Sequence, residues 1–306
     1  MRSAWLLIVA LVAGSMLLWT AAGRLSSEGK VKPARPIAGG EPGAQVWSAP
    51  GSEAADEQAD ASDRSESYGG GYALTPSDAG HYAAQVRDPT GLDRRVIDLT
   101  TDESLGDGQA VRMQLAGAPI LRRGWDVWIL NEFYFPHDFP NLSRNGWLSL
   151  SSVYGPPGEG AGPNTLSMRR LHGTNQLTWV EEPGGKSVLW EGRVATRGVW
   201  HVVVRHMRLD TDPRKGFMEI FYGRHGAPLK LQRLSGSAAG KTRRHYATLR
   251  PGVNWDGSSP NGLNISNYHR DGMPGWAGQV SIFYANHRIF PVGTTPRQLE
   301  RYVADH

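Results

Sequence analysis

Cysteine is absent from all 306 residues. That excludes disulfides, thiolate nucleophiles and zinc–thiolate sites, so a hydrophobic core has to hold the fold. Metal spacings are missing too: ten histidines are scattered with no H-E-x-x-H or H-x-H among them, which leaves zinc without support. No G-x-S-x-G occurs, so a serine hydrolase has no nucleophile elbow. Gly236–Thr242, GSAAGKT, is one residue short of a phosphate-binding loop and sits among strand-like runs. Asp210-Thr211-Asp212 opens like a calcium loop but lacks the later acidic ligands, and reads as a hairpin turn ending at Gly216. No metal and no cofactor is expected, and no internal repeat is found.

What is present is punctuation and contrast. Thirty-eight glycines and twenty prolines break the chain into short apolar runs, as turns between strands do. The one long apolar run is Ala4–Ala22, uncharged and preceded by Arg2, near the ~20 residues that span a bilayer as a helix. It reads as a signal peptide cut after Ala21-Ala22 or as an uncleaved anchor, and either way the bulk of the chain is exported. Residues 1–23 are assigned to this segment and 24–86 to a disordered linker. Within the linker, Gly51–Gly71 holds one aromatic and no branched aliphatic residue, too little apolar area to offset ordering entropy. Residues 1–85 carry 6 Lys+Arg against 9 Asp+Glu, a balance of −3, while 86–306 carry 27 against 20, a balance of +7. A basic exported domain suits an anionic partner, and export argues against nucleic acid. Membrane contact is expected only through the N-terminal segment, and the chain is expected to be a monomer.

From residue 87 on, the hydrophobic period is two. Val127–Phe135, Trp147–Val153, Val199–Leu209, Phe217–Tyr222, Leu263–Arg270 and Gln279–Ile289 read as strands. The spacing predicts a sandwich of short antiparallel strands. One helix is expected at the end. Thr295 is placed as N-cap, Pro296 at the first helical position and Gln298 at the capping-box position, with Leu299, Tyr302 and Val303 on one face.

Three ordered stretches resemble one family. They are Tyr134–Pro140 (YFPHDFP) with Trp147–Leu150 and Tyr154–Pro157; Gly198–Val204 leading through Asp210–Gly216 into FMEIFY; and Asn261–Met273, NGLNISNYHRDGM. Together, from Tyr134 to Met273, they resemble the heparin-lyase-I type of polysaccharide lyase in order and spacing. The resemblance implies an all-β, concanavalin-A-like jelly-roll sandwich with a short C-terminal helix over residues 87–306. It implies an extracellular protein acting on an acidic, uronate-containing polysaccharide by β-elimination. The alternative reading is a non-catalytic carbohydrate-binding module of the cell surface.

β-Elimination requires a group that neutralises the uronate carboxylate, a base for the C5 proton and an acid for the leaving oxygen. On a sheet such groups occupy alternate positions. Leu263 and Ile265 are placed toward the core, and Asn264, Ser266, Tyr268 and Arg270 on the opposite, polar face. Tyr268 matches the family's catalytic tyrosine. Asn264 stands where several members carry a lysine, and Tyr154 near a position where members carry a histidine. Arg112 falls in VRMQL, similar to the family's R-x-E strand, with Gln114 replacing the glutamate. The expected catalytic residues are Tyr268, Tyr154 and Arg112. A tyrosine base needs nearby cations, its free pKa being ~10. Arg270 and Asn264 are candidates for holding substrate, as are Trp255 and Trp276, whose loops flank the Tyr268 strand and suit ring stacking. His137 and His172 are loop candidates for substrate contact. Most of the six tryptophans Trp125, Trp128, Trp147, Trp179, Trp190 and Trp200 are expected to pack in the core, and His269 is expected to be packed too.

Overall fold

A computed structural model describes residues 82–102, 111–116, 121–144, 146–154, 164–181, 187–249, 262–270 and 278–306, with short strands at 47–48, 59–60, 67–68 and 72–74. The apolar run Ala4–Ala22 lies outside the described residues. No described helix is long and apolar enough to cross a membrane.

The strands are, in order, β1 (Trp47–Ser48), β2 (Ala59–Asp60), β3 (Ser67–Tyr68), β4 (Tyr72–Leu74), β5 (Tyr82–Arg87), β6 (Arg95–Asp102), β7 (Val111–Ala116), β8 (Asp126–Tyr134) and β9 (Trp147–Tyr154). They continue as β10 (Asn164–Leu171), β11 (Thr174–Glu181), β12 (Ser187–Val194), β13 (Trp200–Arg208), β14 (Phe217–Arg224), β15 (Lys230–Leu231), β16 (Arg243–His245), β17 (Gly262–Arg270) and β18 (Gln279–Phe290). One helix, α1 (Pro296–Asp305), ends the chain. The first sheet has the order β15-β14-β13-β8-β18-β6-β5-β2, with β16 also on β14 and β1 on β18. The second has the order β12-β11-β10-β9-β17-β7-β4-β3.

The expected spacer needs a correction at its end. β5 pairs with β6 from Tyr82↔Thr100 to Arg87↔Arg95, so the folded part reaches back at least to Tyr82 rather than starting at residue 87. The strand escaped notice because its buried residues are Ala83 and Ala84, which leave no apolar signature.

Alternation builds the core between the sheets. Ile129 and Phe133 of β8, Val203 and Met207 of β13, and Ile282 and Tyr284 of β18 come from the first sheet. Leu148 and Leu150 of β9, Leu166 and Met168 of β10, Leu177 and Trp179 of β11, and Leu263 and Ile265 of β17 come from the second. The outer face of the first sheet is apolar as well. Trp128, Leu130, Val202, Val204, Phe221 and Phe290 form a second cluster that Leu299 and Val303 of α1 cover. The helix starts as its sequence dictates: the Thr295 backbone N–H donates to Gln298 Oε1 at 2.8 Å and Gln298 N–H returns a bond to Thr295 Oγ1 at 3.4 Å.

Beside the helix an ion network ties the start of the domain to the first sheet. Glu132, fully buried on the outer face of β8, receives Arg94 through both terminal nitrogens at 3.0 Å, His225 at 2.8 Å and Asn286 at 2.7 Å. Arg94 also pairs with Asp88 at 2.7 Å, and Trp200 donates its indole N–H to Asp88 at 3.2 Å. Burial by itself would raise Glu132, yet the hydrogen bonds from His225 and Arg94 outweigh it and hold the carboxyl below its usual range.

Candidate functional site

With α1 covering one outer face, the outer face of the second sheet is where polar side chains gather. β17 alternates as its sequence requires. Leu263, Ile265, Asn267 and His269 turn inward, and Asn267 donates to Leu99 O at 3.0 Å and Val280 O at 2.8 Å. His269 is buried near the Thr101 hydroxyl, packed as expected. Asn264, Ser266 and Tyr268 take the outer face.

The neighbours of that face are hydroxyls. Ser266 donates to Ser149 O at 2.8 Å and meets Ser149 Oγ at 3.2 Å. Ser149 and Thr165 each approach Ser152 at 3.4 Å, and Ser167 meets Thr178 at 2.8 Å. A register irregularity in β9, where Leu166 pairs Ser151 but Ser167 pairs Ser149, reverses the facing of Ser151. A bulge of this kind re-aims a side chain. Ser151 then points to the interior and accepts from Arg205 Nη2 at 2.8 Å. Arg205 is wholly buried, also donates to Asn131 and lies 5.1 Å from the Trp179 ring. Burial pulls its guanidinium down from 12.5 to about 9. A cationic group thus stands behind the polar face, inside the sandwich.

Tyr268 occupies the one partly exposed position of the described outer face of β17. Its ring meets the ring of Trp147 edge-on at 4.9 Å. On one side its backbone partner is Ser149 of β9, and on the other it is Arg112 of β7. Directly opposed residues of an antiparallel pair share a face, so Arg112 stands beside the tyrosine on the sheet. Arg270 is partnered by Trp147, and Trp147 in turn by Arg169 of β10. One row across three strands therefore reads arginine, tryptophan, arginine, two residues from Tyr268.

Other expected residues fall elsewhere. Tyr154 ends β9 opposite Gly262, five positions from the partner of Tyr268, or roughly 17 Å along the strand. Asn264 is buried, and its side-chain oxygen accepts the Ser152 backbone N–H at 2.7 Å, which commits the carbonyl end to the irregular stretch of β9. His172 is the first central residue of the β10–β11 turn. It and Gly173 have φ of 50° and 82°, the pair of positive values that a type I′ hairpin demands. Its ring is 3.8 Å from Glu191. His137 is exposed in the β8–β9 connection and fills the space over Gly198, where a Cβ would come within 2.1 Å of its ring. Trp255 and Trp276 lie outside the described residues. No group of three or more histidine, aspartate or glutamate side chains able to hold a metal occurs among the described residues.

Two members of the site carry no motif: Trp147, one of six tryptophans most of which are expected in the core, and Arg169. The signal for both lay in strand parity. NTLSMRRL alternates Leu166 and Met168 inward with Ser167 and Arg169 outward, and Trp147 shares its parity with Ser149.

No family model matches the sequence, and no curated protein does. Similar solved structures do exist. An endo-β-1,4-glucuronan lyase from the fungus Trichoderma reesei matches at a TM-score of 0.51 and 12% identity, over 72% of this chain and 90% of that one. The chain has a jelly-roll fold of the kind seen in that enzyme. Two further structures superpose more loosely. One is a GH131 β-glucanase catalytic domain from Podospora anserina, with a TM-score of 0.45 at 12% identity over 74% and 81% of the two chains. The other is alginate lyase vAL-1 from Chlorella virus, with 0.43 at 10% over 68% and 88%. The match supports the jelly-roll fold and does not single out the heparin-lyase-I type that the sequence resembles.

Proposed function

We propose that the domain binds an acidic polysaccharide across the outer face of the second sheet and cleaves it by β-elimination, with Tyr268 as the proton-transferring group. The observation that carries this reading is the pairing of Tyr268 with Arg112. An arginine at the register position opposite a tyrosine can supply two requirements at once. It neutralises the uronate carboxylate, which acidifies the C5 proton, and it favours the phenolate. Tyr268 takes the C5 proton, the C4=C5 double bond forms, and the C4–O bond breaks. The proton taken by the tyrosine is the one returned to the leaving oxygen, so neither water nor a second acid is consumed. The separation of Tyr154 from this centre is why the mechanism is assigned to one tyrosine.

Trp147 offers a ring face for a sugar next to the reacting unit, as an apolar surface with a polar edge, with Arg270 and Arg169 in its row for further carboxylates. The glucuronan lyase with a similar fold acts on a uronate polymer, which fits this substrate class. The alternative, a binding module without catalysis, draws on Asn264. Where several resembling lyases carry a lysine, this chain has an amide engaged with the backbone. Export of the domain by the N-terminal apolar segment belongs to the same proposal.

The test is incubation of the purified protein with glucuronan, alginate, hyaluronan and heparin, followed by ultraviolet absorbance of the unsaturated product. Tyr268→Phe keeps the ring against Trp147 and should lower turnover by at least ~100-fold, the low end for losing a general acid or base, with little change in Tm. Arg270→Ala should also weaken binding. Tight binding with no unsaturated product from the wild type would establish the binding module. Full turnover in Tyr268→Phe would move the chemistry elsewhere.

A further inference from the structure

The surplus positive charge of the folded part has a definite place. Between Glu219 and Asp256 the sequence has no acidic residue, while it carries Arg224, Lys230, Arg233, Lys241, Arg243, Arg244 and Arg250. The fold gathers most of these along one border of the sandwich. β14 is flanked there by two segments in line. Lys230 and Leu231 pair with Tyr222 and Phe221, Gln232 N–H donates to Ile220 O at 2.8 Å, and Arg243 to His245 pair with Glu219 to Phe217. Together they make one composite edge strand along Phe217–Tyr222 of β14, six residues or about 20 Å at strand rise.

The chain between the two segments is a closed loop, with Leu234 N–H on Lys241 O at 2.7 Å. It reaches the second sheet through Ser235 N–H on Leu189 O at 2.7 Å, and Glu191 N–H returns a bond to Ser235 Oγ at 3.0 Å. Arg193 of β12 continues the border on that sheet. Arg193, Arg224, Lys230, Arg233, Lys241 and Arg243 are all exposed. Of the carboxylates on this border, Glu219 is held by Arg243 at 3.0 Å and by His206 at 2.8 Å, and Glu191 lies near His172.

A charged edge has a bland use. Lysine and arginine on an edge strand prevent pairing with another chain. Charge of either sign serves that use, with lysine favoured. This edge carries six exposed cations against the three carboxylates Glu191, Glu219 and Glu300, the last accepting the Leu229 backbone N–H at 2.6 Å.

We propose that this border is a second binding surface for a linear polyanion, a rail that holds an acidic polysaccharide outside the Tyr268 face. The choice of polysaccharide rests on the reading of that face; the surface itself does not. A row of cations along one strand suits a linear chain of carboxylates. An anionic membrane is the less suitable occupant. The exposed large hydrophobic side chains on this border are the isolated Leu231 and Val194, with no aromatic among them to enter lipid. The rail raises affinity for long chains by a second attachment on the same polymer and leaves the elimination step unchanged.

The test compares two triple variants of the full chain. One carries Lys230→Gln, Arg233→Gln and Lys241→Gln; the other carries Lys230→Glu, Arg233→Glu and Lys241→Glu. Binding is read with long alginate, an alginate tetrasaccharide, neutral dextran and phosphatidylserine vesicles, in a Tyr268→Phe background that prevents cleavage. The glutamate variant keeps a charged, pairing-resistant edge, so it separates the two uses. It should lose at least tenfold in affinity for long alginate and stay monomeric, the glutamine variant should lose less, and affinity for the tetrasaccharide should not move. The salt dependence of long-chain binding should become shallower in both. Unchanged long-chain affinity in the glutamate variant overturns the rail and leaves edge protection. Loss confined to vesicles overturns it in favour of a lipid surface. Absence of unsaturated product from the wild type bears on Tyr268 alone, because every readout here is binding.

Discussion

The two outer faces of the sandwich are made by the same device, alternate residues of antiparallel strands, and they end up as opposites. On the first sheet the outer residues of β8, β13 and β14 include Trp128, Leu130, Val202, Val204 and Phe221, and α1 closes over them. On the second the corresponding positions of β9, β10, β11 and β17 are Ser149, Ser152, Thr165, Ser167, Thr178, Asn264 and Ser266, with Tyr268 and Trp147 beside them. An apolar face needs a cover and becomes structure. A face of hydroxyls and amides satisfies itself through neighbouring strands; those residues are buried, and Tyr268 and Trp147 beside them are the partly exposed ones. The charged residues follow the same division. Glu132, Arg94 and Asp88 are locked into the first face, while Arg112, Arg169 and Arg270 stand at or near the tyrosine on the second.

The largest effect expected from breaking this contrast is at Glu132. Glu132→Ala leaves Arg94 and His225 without their buried partner, and denaturant unfolding should show a loss of about 3–5 kcal/mol. Polysaccharide binding at the other face should be untouched in the folded fraction. A loss under 1 kcal/mol would mean that the network does not hold the start of the domain to the first sheet.

Asn264 tests the polar face in the same way and should cost less. Asn264→Ala strips the Ser152 N–H of its acceptor, a change worth about 1–3 kcal/mol for a buried donor. If the residue is purely structural, affinity for alginate stays constant as stability drops. A fall in affinity with no fall in stability would show that the amide serves the ligand instead.

A smaller effect, read by pH, sharpens the comparison further. On the first face the Glu132 and Asp88 carboxyls are held low: burial opposes this, but hydrogen bonds from His225 and Arg94 in one case and from Thr90 and Arg94 in the other prevail. Depressed carboxyls contribute stability that is present above their unfolded pKa and is lost as pH falls through the folded values. His206 behaves in the opposite sense. Its Nδ1 bonds Glu219 and its Nε2 bonds Asp126, each at 2.8 Å, and its ring stacks on Trp128 at 4.1 Å. Burial disfavours the imidazolium, yet the two carboxylates raise its pKa. That contribution is present below the unfolded value of about 6.5 and is lost as pH rises through the raised folded value. Tm should therefore decline on both sides, and His206→Gln should remove the decline on the alkaline side only. A retained alkaline step in that variant would assign it to another group.

Much of the architecture could be read from parity. The expected strands Trp147–Val153, Phe217–Tyr222 and Leu263–Arg270 coincide with β9, β14 and β17 to within one or two residues, and the helix starts at its capping box. Three consecutive strands, β10 to β12, went unread. Their outward residues include Thr165, Ser167, Arg169, Gln176, Thr178 and Glu191, so no continuous apolar run announces them. The His172-Gly173 turn between two alternating runs is the available signal, its two positive φ values marking a tight hairpin.

The sequence by itself determined which residues share a face of a strand, because side chains alternate with a period of two wherever the backbone is extended. That placed Tyr268 with Asn264 and away from Leu263, and it set His201 and His206 on opposite sides of β13. Only the tertiary structure decided which strands lie side by side, since pairing between residues more than a hundred positions apart is set by register and packing across the whole sheet. Register put Arg112 next to Tyr268, kept Tyr154 away from it, brought Trp147 to its ring, and assembled an edge from Lys230 and Arg243, which local spacing does not connect.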